Sequence, residues 1–174
     1  MNTSVAVPPE VIKLIDTPQY CAVSDIEVNT GSIRAMCAAV QNSNPVYWDR
    51  DVALEKMGAQ LAPPSMLATW GRPELWAPGR EEELRALQLH FDLKELLSLP
   101  FSIVASFETV FYAPAMVGDL LRTQQVLKSI SETKKTRLGS GRFWTIEMEY
   151  SDSTGQLVGV DIFNFFAYGT QESG

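Results

Sequence analysis

Apolar side chains fall at helical spacing through the first half of the chain and at strand spacing after Pro100. Ile33, Met36, Cys37 and Val40 recur at i, i+3, i+4 and i+7, which predicts a helix over Asn29–Val40 with one stripe on the core. Asn29 suits the N-cap, and Val28 and Ile33 stand where an apolar staple closes across it. Asp49 predicts the cap of a second short helix, with acids early, Lys56 late and Gly58 as its stop. A third starts at Pro64, because proline is tolerated in a first turn, and Gly71 and Pro73 limit its length. Glu81–Leu97 leans helical, with Glu81-Glu82-Glu83 as a solvated start favoured by the helix dipole. Val11, Leu14 and Ile15 predict one more short helix, behind a loose lead-in over residues 1–9.

The strand half begins with residues 102–112, whose alternation places Ile103, Ala105, Phe107 and Phe111 on one side. Ala113–Asp119 connects it to a second strand near residues 120–131. In the third, Trp144, Ile146, Met148 and Tyr150 oppose Thr145, Glu147 and Glu149. Ser151–Gly155 carries hairpin-turn residues and returns the chain into Leu157–Tyr168, apolar on both sides and so a central strand. Helices followed by an antiparallel meander predict an α+β fold, and 174 residues suit one domain, with residues 169–174 as a tail.

Composition narrows the function classes. A net charge of −7 speaks against nucleic acid as a partner, since phosphate backbones are held through concentrated Lys and Arg. No apolar run approaches the roughly 20 residues of a membrane span, and the N-terminus lacks a basic secretion start, so a cytoplasmic location without membrane contact is expected. Cys21 and Cys37 show no metal-ligand spacing, no metal site is expected, and Cys37 on an apolar stripe reads as a buried thiol. His90, the one histidine, lies outside any motif and reads as structural. Against the acidic background, Lys128, Lys134, Lys135, Arg137 and Arg142 gather near a glycine-rich turn.

Between the first two helices runs Gln41-Asn42-Ser43-Asn44-Pro45-Val46-Tyr47. It resembles the active-site loop of the MaoC-like, R-specific enoyl-CoA hydratases, which reads Gly-Asp-x-Asn-Pro-(Leu/Ile/Val)-His. Ala62-Pro63-Pro64-Ser65-Met66, Gly118-Asp119 and the turn Leu138–Phe143 resemble further segments of that family in the same order, over residues 25 to 168. The resemblance implies a hot-dog fold, a curved antiparallel sheet wrapped around the helix that starts near Pro64. It implies substrate contacts at Asn44, Pro45, Pro63, Pro64 and Met66, and no cofactor beyond the coenzyme A of the substrate. Lys134, Lys135 and Arg137 are candidates for its phosphates.

The departures matter most. Asn42 stands at the family's catalytic Asp and Tyr47 at its catalytic His. Hydration needs a base for water and an acid for carbon, and such help is typically worth about a hundredfold to ten-thousandfold. An amide is no base, and a phenol near pKa 10 lies far from neutrality. The resemblance is greatest to the non-catalytic subunit of heteromeric hydratases acting on steroid side-chain acyl-CoA. It implies a second hot-dog chain that carries the Asp and His, and an acyl-CoA thioester shared with it. Two alternatives stay open: a self-sufficient hot-dog thioesterase or hydratase using another carboxylate, such as Asp119 or Glu108, and a non-enzymatic subunit that binds acyl-CoA or docks an aldolase or acyl-binding protein.

Overall fold

The computed structural model of the chain describes residues 6–81 and 84–169. The first part of the lead-in, Glu82, Glu83 and the tail beyond Gly169 lie outside them. In chain order the elements are α1 (Pro9–Ile12), β1 (Pro18–Val23), α2 (Thr30–Ala39), α3 (Pro45–Trp48) and α4 (Arg50–Met57). A 3-10 turn (Pro64–Met66) runs into α5 (Leu67–Gly71), followed by α6 (Gln88–Leu96). The strands β2 (Phe101–Phe111), β3 (Arg122–Ile130), β4 (Lys134–Thr136), β5 (Gly139–Ser151) and β6 (Leu157–Gly169) complete the chain.

The sheet is antiparallel throughout, in the order β1-β3-β5-β6-β2, with β4 paired to the start of β5. Alternation in β5 sends Trp144, Ile146, Met148 and Tyr150 into the core, as the pattern predicts. Two clusters fill the inner face. One gathers Met66, Leu67 and Trp70 from the 64–71 helix against Ile33, Cys37, Met148 and Tyr150. The other packs Leu89 and Leu93 of α6 on Trp144, Ile146 and Phe165. Each such side chain contributes roughly 1.5–3 kcal/mol by leaving water. Two glycines let the layers touch: a Cβ on Gly71 would lie 2.3 Å from the Tyr150 ring, and one on Gly159 would lie 2.5 Å from Leu67. A short central helix embraced by the sheet is the arrangement that the resemblance implies.

Several expectations need correcting. Strand β1 went unread: its side chains are mostly exposed, a register shift between Gln19 and Ala22 breaks its alternation, and only pairing to β3 makes it a strand. The predicted helix over Glu81–Leu97 starts late, at Gln88: residues 84–87 are irregular chain and turn, with Leu87 packed against both core clusters; Glu81 is not helical, and Glu82 and Glu83 lie outside the described residues. Val40, expected on the buried stripe of α2, is exposed, since the helix ends there and turns away. In β2 a register shift between Val104 and Ser106 switches faces. Phe107 opposes Phe163 on the inner face while Ile103 opposes Phe166 on the outer one, so the two do not share a side.

Among the described residues no helix is long and apolar enough to cross a membrane. No group of His, Cys, Asp and Glu among them has the geometry to hold a metal.

Candidate functional site

Helix α2 begins where its cap predicts: Asn29 Oδ1 accepts the Ser32 N–H at 2.8 Å. It ends in a Schellman motif, with Gln41 N–H donating to Ala38 O (3.3 Å) and Asn42 N–H to Cys37 O (2.8 Å). Gln41 takes φ +55°, the left-handed conformation that glycine tolerates best, and it occupies the glycine position of the loop pattern. The loop then closes on its own polar groups. Asn42 Oδ1 accepts Asn44 N–H (3.0 Å), Asn44 Oδ1 accepts Val46 N–H (3.2 Å), and the Trp48 indole donates to the Asn42 carbonyl (2.7 Å). Pro45, which has no N–H to satisfy, opens the single turn of α3. Arg34 of α2 donates to Trp48 O (2.8 Å) and locks the unit.

Tyr47 is half-buried against the cluster around Cys37 and Met148. Burial first, and the neighbouring Cys37 thiol second, push its hydroxyl above the ordinary tyrosine range; burial raises Cys37 too. Both shifts move these groups away from proton transfer at neutral pH. The Tyr47 hydroxyl has no protein partner among the described residues. Asn42 uses its side-chain oxygen as a turn acceptor, which is ordinary Asx behaviour. No base stands in this loop.

The remaining expected site residues scatter. Pro63 and Met66 are buried, and Pro63 and Pro64 line a small pocket of about 20 Å³ with Leu67 and Phe111. A cleft of about 480 Å³ against β1, a second of about 560 Å³ between α2 and α4, and a groove of about 820 Å³ beside α6 are larger, and none is lined by Asn42, Asn44, Pro45 or Tyr47. Lys134 and Lys135 are exposed on β4 and Arg137 on its turn. Their partner strand position, Gly141, is roughly 23 Å of β5 from Met148, at about 3.3 Å per residue. The hairpin thus lies well along β5 from Met148, a member of the cluster that Tyr47 packs against. Of the other cations in that run, Lys128 pairs with Asp16, and Arg142 is buried with its guanidinium on Ser131 O and Ala6 O.

The candidate carboxylates of the alternative reading are apart as well. Asp119 accepts the Met116 N–H (2.7 Å) inside the turn before β3, and Glu108 is exposed on β2. Two buried polar centres lie elsewhere: Asp161, which escaped the sequence reading, and His90, which is buried as a structural residue would be. Asp161, 3% exposed, accepts from Tyr150 (2.8 Å) and Thr109 (2.6 Å) beneath α5. The signal for it was a lone acid inside the apolar run of β6. His90, 5% exposed, lies among Trp144, Ser102 and Phe165. Burial first and Lys94 second lower its pKa to about 4, so it is neutral at pH 7. Its bonded partners are an indole and a hydroxyl, with no carboxylate, and the chain has no second histidine to form an Asp–His pair.

Comparison with known proteins agrees with this frame. The family model described as "FAS1-like, dehydratase domain region" matches residues 17–160. A "Probable enoyl-CoA hydratase alpha subunit" of Thermomonospora curvata is 33% identical over 141 residues, which are 75% of this chain and 42% of that protein. The chain therefore spans about two-fifths of that relative's length. Among solved structures, the ChsH1–ChsH2 complex from Mycobacterium tuberculosis contains a chain with TM-score 0.71 at 18% identity, covering 92% of each chain. A MaoC-like dehydratase from Rhodospirillum rubrum gives TM-score 0.61 at 16% identity, covering 95% of this chain and 99% of its own. With a family match over most of its length and the sheet-around-helix arrangement of these neighbours, the chain belongs to the FAS1-like dehydratase-region family and has the hot-dog fold that the MaoC-like dehydratases share.

Proposed function

We propose that this chain is the non-catalytic hot-dog subunit of a heteromeric enoyl-CoA hydratase, whose Asp and His come from a second chain. The observation that carries the reading is a loop frame kept intact without a group able to move a proton, in a chain whose one histidine is tied to Trp144 and Ser102. The partner's place is the outer edge of β2. That strand is eleven residues long, has a free edge, and exposes Phe101, Ile103, Val104, Phe107 and Phe111 by 43–55%. A long apolar edge left uncovered invites strand pairing and aggregation, so a matching strand from another hot-dog chain is its natural cover. The relative's designation as an alpha subunit supports a multi-chain enzyme.

The substrate is a 2-enoyl-CoA with a bulky acyl group, a steroid side chain being the first class to test. Giving up one catalytic loop leaves room beside the seam that a second set of catalytic side chains would occupy. The deciding experiment is co-expression with a hot-dog chain carrying an intact Asp-x-Asn-Pro-x-His loop. The pair is then assayed on steroid side-chain and straight-chain 2-enoyl-CoA. Hydration by the pair and by neither this chain nor an Asp-loop mutant pair is expected. Hydration by this chain alone at ordinary enzyme rates would sink the reading. Co-purification with an aldolase or acyl-binding protein, with no hydratase gained, would replace it by a scaffolding role.

A further inference from the structure

Beside α6 and the free edge of β2 runs a groove of about 820 Å³ walled by Leu84, Leu87, Val104 and Phe165, with Arg85 and Lys94 also on its lining. This lies within the roughly 300–1,000 Å³ usual for small-molecule sites. Along its wall runs a chain of hydrogen bonds whose direction is fixed by chemistry. An indole nitrogen can only donate, so Trp144 Nε1–H makes His90 Nδ1 an unprotonated acceptor, at 3.3 Å. The neutral imidazole then carries its hydrogen on Nε2, which is 3.1 Å from Ser102 Oγ and donates to it. Phe165 stacks on the imidazole at 3.9 Å and keeps the ring from turning over. Ser102 Oγ is thereby an acceptor toward His90, and its own O–H remains to be given. Ser102 lines the groove, and no acceptor for that proton stands among the described residues.

We propose that the groove binds an apolar molecule, or the apolar end of a larger one, that carries one carbonyl or hydroxyl oxygen. Ser102 O–H donates to that oxygen, and His90 is the positioning residue that fixes the direction of the bond. The same direction rules out a Ser–His nucleophile: a base for Ser102 needs a lone pair on Nε2, where the hydrogen sits. Specificity follows from that one donor on the groove lining, because an apolar isostere of the ligand takes no hydrogen bond from the half-buried Ser102.

The test uses the full chain and two probes of one shape, 2-decanone and 2-methyldec-1-ene, in which CH₂ replaces the oxygen. Binding is followed by Trp fluorescence and by NMR shifts of the Trp144 indole and the Ser102 amide. The ketone is expected to bind roughly three- to tenfold more tightly than the alkene. Ser102→Ala should remove that preference and leave alkene affinity in place, and Ser102→Thr should restore it. Equal affinities in the wild-type chain, no binding of either probe, or a preference that survives Ser102→Ala would each overturn the proposal. If Ser102→Ala fails to fold, the wild-type probe pair and the Ser102→Thr variant decide. These outcomes are independent of whether a second chain supplies the hydratase residues.

Discussion

Asn42 and Tyr47 stand where the loop pattern that this chain resembles has its Asp and His, and here Asn42 bonds within the loop while Tyr47 packs on the core. Restoring the residues is therefore not the same as restoring the site. In Asn42→Asp/Tyr47→His the new carboxylate inherits the Asn44 N–H as a hydrogen-bond donor, which stabilises its charged form and weakens it as a base. Nothing nearby orients the new imidazole. Hydration by that double variant alone should stay at least about a hundredfold below that of the proposed two-chain enzyme in the same assay. Asp161 offers a sharper structural test. Tyr150→Phe takes away one of its two donors in a buried position and should cost about 1–3 kcal/mol in urea unfolding at pH 7. His90 links stability to pH. Its folded pKa of about 4 lies below the 6.5 of the unfolded chain, so the unfolded state takes up the proton first as pH falls. The contribution is whole above pH 6.5 and is lost on descending toward pH 4, by up to about 3 kcal/mol. Relative to His90→Gln, the wild-type chain should lose stability across that window, and parallel pH profiles would contradict it.

At the scale of elements, local signals and close approaches can be separated. The caps of α2 and α4, the stop at Gly58 and the Asp152 turn before β6 form where they are predicted, because each depends on residues a few positions apart. Gln41 is a local compromise: φ +55° costs an L residue strain that glycine avoids. Gln41→Gly should raise stability by about 0.5–1 kcal/mol, read as an upward shift of the thermal midpoint. Gly71 is the converse case. Its backbone is pressed against the Tyr150 ring, so Gly71→Ala must push α5 off the sheet and should cost about 1–3 kcal/mol. Because α5 carries Leu67 and Trp70 into the core, the same change should also loosen the 41–48 unit, measurable as faster amide exchange there.

On the scale of the whole molecule, the free edge of β2 matters most. Its pairing to β6 through ten registered positions leaves the other edge open, with apolar side chains on both faces. Ile103→Lys with Phe107→Lys places charges on the two faces of that strand. The double variant should keep its unfolding free energy within about 0.5–1 kcal/mol, since both side chains are about half exposed. It should lose association with the Asp-loop partner in gel filtration of the co-expressed pair. Retained association would place the partner elsewhere. The groove beside α6 borders the same edge through Ile103 and Val104, so a chain paired there would roof it.

The sequence alone determined helices α2 and α4 with their caps, the buried face of β5, the central place of β6 and the lack of a carboxylate or imidazole in residues 41–47. These follow from spacing and residue type, which act over a few positions. Tertiary structure decided which strand is left at the edge, that residues 18–23 form a strand, and that β2 changes faces midway. It also joined His90 to Ser102, 12 positions along the chain, and to Trp144, 54 positions along. Such facts depend on the register between distant segments, and register is settled only when both faces of the sheet are packed.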